Sequence, residues 1–584
     1  MSVMTAIILA IVAVVSALPN HSYNVTSPSN STGKTVTYDW SIGWTTAAPD
    51  GFERPVIGIN GEWPCPTMRV DYGDRVIVRV TNNLGNQSTS IHWHGIFQYG
   101  SSEMDGTVGT SQCPIAPGQT MEYDWIANQT GTYWYHSHDS GQYPDGLWGP
   151  LIIDDPNPPF EYDEELIITL SDWYHEQMPH LIEYYQSHQG EAYDGTPTPA
   201  VALFNSGVNV SVLVKPDTTY LVRIICPAAF SGVGFIFDQH ETTTVELDGR
   251  YTVPVTSKDF ERVAAGQRQA VLLKTKNDTS TNYAFWGSLD VNMLFLDKGT
   301  IPPQTYNTNV TAWLVYNEDA PLPDPPVFAT VNNDQFYEDL DYQPLDGTTV
   351  FEPVDRQLIL DTSAANISGI SRYTINGETY LGADVPSLYT ALTVGDNYSS
   401  DPTVYGETNP YVFKYGEIIE IVINNQHTNL HPWHMHGHEF QVLERTNPDT
   451  GSFPGYYTNY SNTPVFRDTI MLQPNSYAVI RFKADNPGVW LFHCHIEFHV
   501  PAGLTATFIE APEMIGSGGA SIPQNHIDIC KAVPQAYEGN AAGNTVDALN
   551  LTGAPEAVPQ DQYGSLYPPP NGTVQISRKR SIRH

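Results

Sequence analysis

Positive charge, cysteine and long apolar runs are all scarce in this chain. Among 584 residues, 26 lysines and arginines face 64 aspartates and glutamates, a formal net charge of −38. That balance excludes nucleic acid as a natural partner and leaves no polybasic patch for an anionic membrane. It attracts cations and repels anions at long range, although salt screens this beyond about 10 Å. The sole basic run, Arg578-Lys579-Arg580, is read as a processing site or a solvated end. Cysteine numbers only 5. The apolar run from Ala6 to Val15, followed by Ser16 and Ala17, is too short to span a bilayer comfortably. We read residues 1–17 as a secretory signal peptide. No second apolar segment of spanning length follows, so the expectation is a protein without a membrane anchor, secreted or held in the cell wall. Sequons such as Asn24-Val25-Thr26, Asn86-Gln87-Ser88, Asn209-Val210-Ser211, Asn309-Val310-Thr311 and Asn366-Ile367-Ser368 point to glycosylation there.

No long amphipathic helical repeat is visible, whereas Gly and Pro number 45 each and Tyr 34. Runs such as Arg75-Val76-Ile77-Val78-Arg79-Val80, Glu417-Ile418-Ile419-Glu420-Ile421-Val422-Ile423 and Tyr477-Ala478-Val479-Ile480-Arg481-Phe482 are β-branched and bounded by turn residues. Short strands at such spacing indicate an all-β chain of sandwiches, and the length suggests three or four domains. The first is expected over residues 35–155, closing at Asp154-Asp155-Pro156-Asn157-Pro158-Pro159, whose prolines cannot join a sheet interior. The second covers 162–317. A Pro- and Asp-rich connection from Asp319 to Pro326 leads towards a third at 350–515, and the tail 516–584 reads as irregular.

Four histidine clusters carry the chemistry: His92-Trp93-His94-Gly95, His136-Ser137-His138, His431-Pro432-Trp433-His434-Met435-His436, and His493-Cys494-His495 followed by His499 and Leu504. In a strand, residues two apart share a face, so each His-x-His pair aims two imidazoles at neighbouring metal ions while Cys494 faces away from its flanking histidines. A Cys with a His five residues on and an apolar residue ten on suits a His₂Cys electron-transfer copper with a weak or absent axial ligand. Any one pair could be an ordinary surface or core doublet. Four together are not.

This constellation resembles the multicopper oxidases, from about Thr35 to about Pro512. The resemblance implies three cupredoxin-like Greek-key β-sandwiches and four copper ions that couple four one-electron oxidations to reduction of O₂ to water. By motif position, His431, Cys494 and His499 would bind type 1 copper, with non-ligating Leu504 in the axial place. His92 and His434 would hold type 2 copper. His94, His136, His138, His436, His493 and His495 would hold the type 3 pair. Electrons would leave the type 1 copper through Cys494 and its bonded neighbours. The cluster would lie between the first and third domains. Asp105 resembles the family acid near type 2 copper and Glu497 the acid beside type 3, and O₂ reduction needs such proton donors. The resemblance also ties Cys113 to Cys530, which leaves Cys65 and Cys226 as a second pair, in keeping with an oxidising compartment.

Among its members the chain looks most like the fungal iron-uptake ferroxidases, through Leu170-Ser171-Asp172-Trp173-Tyr174-His175, Lys215-Pro216-Asp217-Thr218-Thr219-Tyr220 and Arg481-Phe482-Lys483-Ala484-Asp485-Asn486-Pro487-Gly488-Val489-Trp490. Those enzymes hold Fe²⁺ with acids beside the type 1 histidines. Here His427, Thr196 and Phe295 stand in the matching places. The missing acids and anchor lead to the expectation of a laccase-like oxidase of phenols or naphthols, for instance in oxidative coupling of a pigment or polyketide precursor. Yet Pro227 stands after Cys226 where some laccases carry the acid that accepts the phenol proton. Ferroxidase is the alternative, with ascorbate oxidation behind it. A copper store without turnover is a reading of another class, disfavoured because storage needs neither an open cluster nor the linked Cys494. The expected partners are O₂ and a small phenol, and the expected state is a monomer.

Overall fold

The computed structural model describes residues 33–556, apart from 188–189, 191–194, 258–259, 296–304, 325–338, 368–369, 458–459, 518–520 and 534. The expected signal peptide, the sequon at Asn24 and the basic run at 578–580 lie outside the described residues.

The chain is mostly β, in six sheets that pair into three sandwiches. The expected runs become the strands Arg75–Asn82, Ile418–Asn425 and Ser476–Lys483. In the first, Val76, Val78 and Val80 are fully buried while their neighbours are not. That two-residue period gives one core face, and burying each valine stabilises the fold by roughly 1.5–3 kcal/mol relative to exposure. The three sandwiches share one crossover. The leading strand of each pairs in parallel with a later one: Thr35–Ala47 with Arg75–Asn82, Glu164–Trp173 with Thr219–Ile225, and Arg356–Ile367 with Ile418–Asn425.

The first and third sandwiches do not have separate interiors. One continuous apolar cluster holds Trp93, Tyr123 and Tyr135 of the first together with Leu388, Val489 and Ile509 of the third. The tail joins it too. Contrary to the expectation of an irregular tail, Gln524–Ala532 is a helix, and its Ile529 and Cys530 are buried in that cluster. Cys530 is disulfide-bonded to Cys113.

The second disulfide does not form: Cys65 and Cys226 are both free and buried. They sit in different cores, Cys65 in the shared cluster with its thiol donating to the Gly146 carbonyl at 3.3 Å, and Cys226 among Ile224, Val271 and Phe285 of the middle sandwich. Burial pushes the Cys65 thiol up to about 12 and the Cys226 thiol higher still, so both stay protonated.

Candidate metal centre

The strand Gly488–Cys494 is buried along its whole length, between His431–Met435 and Thr505–Glu510. Alternation sends Cys494 to one face and His493 to the other, and the register sets Trp433 opposite Cys494 and His434 opposite His493. Two groups of ligand atoms therefore form back to back.

In the first, Cys494 Sγ lies 3.4 Å from His499 Nδ1 and 3.5 Å from His431 Nδ1. Leu504 belongs to the same buried apolar cluster as Cys494, and its carbonyl accepts from the Cys494 N–H at 3.1 Å. Burial holds both imidazoles neutral. Since their Nδ1 atoms face the sulfur, their Nε2 atoms face outward. His431 Nε2 meets His427 Nδ1 at 3.2 Å, and His499 Nε2 meets Tyr373 Oη at 3.1 Å. The Tyr185 hydroxyl lies beside both Tyr373 and Thr196. Phe295 packs against Gly195, whose added Cβ would come within 2.9 Å of its ring. Thus His427, Thr196 and Phe295 do gather at this edge, together with two tyrosines that the motifs did not single out. Burial lowers His427 to about 4, so it too is neutral. Neither His431 nor His499 reaches a carboxylate among the described residues.

The second group collects the other eight histidines across the interface of the first and third sandwiches. Four of them are oriented in one way: Nδ1–H of His92, His136, His434 and His493 donates to the carbonyls of Asp105, Ser137, Asp468 and Cys494 at 2.8–2.9 Å. That fixes the tautomer and turns an unprotonated Nε2 inward. His436 Nε2 faces His493 Nε2 at 3.1 Å, and His94 Nδ1 faces His495 Nε2 at 3.3 Å. Four sets of ligand atoms lie mutually within 4.8 Å: His92/His434/His436, His92/His94/His136, His138/His436/His493 and His94/His434/Asp468. Burial lowers the pKa of His94, His136, His434, His436, His493 and His495, and that of His138 to about 3.

Profiles described as multicopper oxidase match residues 41–158, 164–319 and 380–514. The iron transport multicopper oxidase FET3 of Gibberella zeae is 44% identical over 560 residues, which cover 94% of this chain and 87% of that protein. The chain belongs to the multicopper oxidase family. Among solved structures it is similar to Fet3p, described as a multicopper oxidase that functions in iron import, with a TM-score of 0.85 and 39% identity over 90% of this chain and 99% of that one. The laccase of Botrytis aclada is less similar, with a TM-score of 0.75 and 29% identity over 90% and 98% of the two chains.

A multicopper oxidase carries four copper ions, one type 1, one type 2 and a type 3 pair, and takes O₂ as electron acceptor. The residues fit that cofactor. The Nε2 atoms of His92, His136 and His434 are buried without a hydrogen-bond partner, a costly state for an imidazole unless a cation accepts its lone pair.

These likenesses overturn the laccase-like phenol oxidase expected from the sequence. That reading gave three positions more weight than the rest of the chain. At those positions the structure places His427 against the outer nitrogen of His431, while Tyr373 meets that of His499. No helix among the described residues is long and apolar enough to cross a membrane.

Carboxylates crowd the multicopper oxidase's histidine cluster. Asp105 Oδ2 lies 3.0 Å from His436 Nδ1 and accepts from Thr107 Oγ1 at 2.6 Å, while Oδ1 is 3.3 Å from His92 Nδ1. Burial alone would raise its pKa, but His436 and His92 outweigh burial and hold it well below the usual range. Glu497 is pushed up to about 8 by burial, with Asp145 and Asp139 adding to the rise. It lines a partly open pocket that also meets His138, Asp139, His493 and His495. Asp139 was missed, although its place directly after His138 was a usable signal. Asp468, whose Oδ1 lies 3.5 Å from His94 Nε2 and 3.6 Å from His434 Nδ1, had no such signal.

Proposed function

We propose that this multicopper oxidase is a ferroxidase, taking one electron from each Fe²⁺ and passing four to O₂. The observation that carries the reading is likeness over about nine-tenths of the chain to oxidases named for iron transport, in sequence and in structure alike. The net charge of −38 supports it, because it draws cations rather than anions towards the surface.

In this reading His431, Cys494 and His499 would hold type 1 copper beside the apolar, non-ligating Leu504, and His92 and His434 would hold type 2 copper. His94, His136, His138, His436, His493 and His495 hold the type 3 pair. When bound, the coppers supply one-electron acceptance at the Cys494 side and reduction of O₂ to water at the other. The protein does the rest. Cys494 and its bonded neighbours His493 and His495 join the two sides through covalent bonds. His427 and Tyr373 fix the two outer imidazoles at the edge where Fe²⁺ arrives, and the Tyr185 and Thr196 hydroxyls offer oxygen donors there, suited to a hard cation. Glu497, raised to about 8 beside the histidine cluster, supplies protons, of which each turnover consumes four, and Asp105, held as a carboxylate against His436 and His92, accepts and passes them on. We place the enzyme outside the cell, where the Cys113–Cys530 disulfide persists.

The test is O₂ consumption by the copper-loaded protein with Fe²⁺ as reductant. The expected result is saturable uptake of one O₂ per four Fe²⁺ with higher kcat/KM than for phenols or ascorbate. Iron oxidation no faster than the copper-free control would end the reading.

A further inference from the structure

The middle sandwich contributes no histidine to either group, yet it reaches the cluster. Arg268, the first residue of the strand Arg268–Lys274, is fully buried and grips Asp468 with both prongs of its guanidinium, Nη1 to Oδ1 at 2.8 Å and Nη2 to Oδ2 at 2.6 Å. This is the bidentate geometry that sets arginine apart from lysine. Its other protons go to the Gly266 carbonyl at 3.1 Å and, across to the first sandwich, to the Thr132 carbonyl at 3.1 Å. Asp248 completes the arrangement: Oδ1 accepts from the Arg268 backbone N–H at 2.8 Å and Oδ2 lies 2.9 Å from Arg467 Nε. Two arginines and two aspartates interlock all three sandwiches beside the imidazoles. The packing leaves no room at Gly95, next to His94, where a Cβ would come within 2.4 Å of Arg268 Nη2.

Asp468 is the outlet of this network. Its carbonyl accepts from His434 Nδ1–H at 2.9 Å, and its carboxylate lies beside both His94 and His434, whose rings stack at 3.8 Å and 11°. A buried carboxylate that loses its guanidinium has no counter-charge in the protein and turns to the nearest cation. We propose that Arg268 is a positioning residue for the trinuclear centre: it holds the Asp468 carboxylate against His94 and His434, orients their rings and keeps that carboxylate from becoming a copper ligand. The inference rests on the ligand assignment above, and the middle sandwich thereby acquires a role at a site to which it gives no ligand.

The experiment compares the copper-loaded parent with Arg268→Gln, Arg268→Lys and His434→Ala, reading the type 2 electron paramagnetic resonance signal and copper retention against a chelator. The type 1 absorption band serves as the control for folding. Arg268→Gln is expected to change the type 2 hyperfine splitting and to alter copper retention by about 10- to 100-fold with the type 1 band intact, the range typical of partners behind metal ligands. Arg268→Lys should shift the same signal less, because it keeps the charge without the fork. Adding Asp468→Asn to Arg268→Gln should change the signal less than Asp468→Asn does in the parent, since the two act as one unit. A parent-like type 2 signal and retention in Arg268→Gln, with type 2 copper lost in His434→Ala, would overturn the proposal while sparing the ligand assignment. Full type 2 copper in His434→Ala would instead overturn the assignment. Should Arg268→Gln fail to fold, an unchanged type 2 signal in Arg268→Lys overturns the proposal.

Discussion

The imidazoles on the two sides of Cys494 have opposite surroundings. On the side of His493 and His495, eight histidines share their space with the buried Asp105, Asp468 and Asp139 and the half-buried Glu497. On the side of His431 and His499, the outer nitrogens meet an imidazole and a phenol, with Phe295 nearby and, among the described residues, no carboxylate on either ring. The contrast follows the chemistry of each side. Reducing O₂ consumes protons and gathers several metal charges in a low-dielectric site, so acids are needed both as donors and as counter-charges. Accepting single electrons needs neither. It needs a short bonded path and an edge the reductant can reach.

The comparison breaks most sharply at the residue the two sides share. Cys494→Ser should abolish the intense visible charge-transfer band and all turnover, with the histidine cluster still loaded with copper; a variant that remains blue would remove Cys494 from the type 1 site. Next, His434→Ala should eliminate O₂ reduction while Fe²⁺ still bleaches the type 1 band in anaerobic stopped flow. Full O₂ turnover there would mean that the two sides are not divided as drawn. Asp105→Ala and Glu497→Gln should each slow reoxidation of the fully reduced enzyme by about 10²-fold, the lower range for loss of a positioned acid, and leave type 1 reduction by Fe²⁺ at the parent rate. Equal slowing of both steps would reduce these acids to scaffolding. On the opposite side, giving the bare edge the charge it lacks should help iron: His427→Asp with Thr196→Glu is expected to raise kcat/KM for Fe²⁺ about 10-fold, because carboxylates bind Fe²⁺ and favour Fe³⁺ as product. An unchanged value would show that neutral donors already suffice. The smallest effect is expected from Leu504→Met, in which a weak thioether donor should lower the type 1 potential; voltammetry showing no shift would place Leu504 away from the copper.

The histidine positions were legible because their grouping is local. A two-residue period and a five-residue loop aim the side chains before any tertiary contact forms, and the structure brings all eleven motif residues together in two groups. The sandwich architecture was legible for the same reason, since β-branched runs between turn residues specify strands on a short range. Pairing across the chain was not. Cys65 and Cys226 were matched by arithmetic, but they lie in separate cores. The tail looked irregular from its composition, whereas burial of Ile529 and the bond from Cys530 accompany a helix. The residues at His427, Thr196 and Phe295 were legible, but their weight was misjudged, because likeness over nine-tenths of the chain to oxidases named for iron transport outweighs three positions.

The sequence by itself determined the metal chemistry of this protein, its all-β class and the strand that carries ligands on both faces, because each depends on residue type and on a period of two. Tertiary structure alone decided that Asp468 stands beside the cluster. Asp468 lies in an unremarked segment, and its partner Arg268 lies 200 positions away in another sandwich. Their meeting depends on how three cores dock. A buried charge can be placed only where an opposite charge meets it out of water, and that condition belongs to the folded chain rather than to any stretch of it.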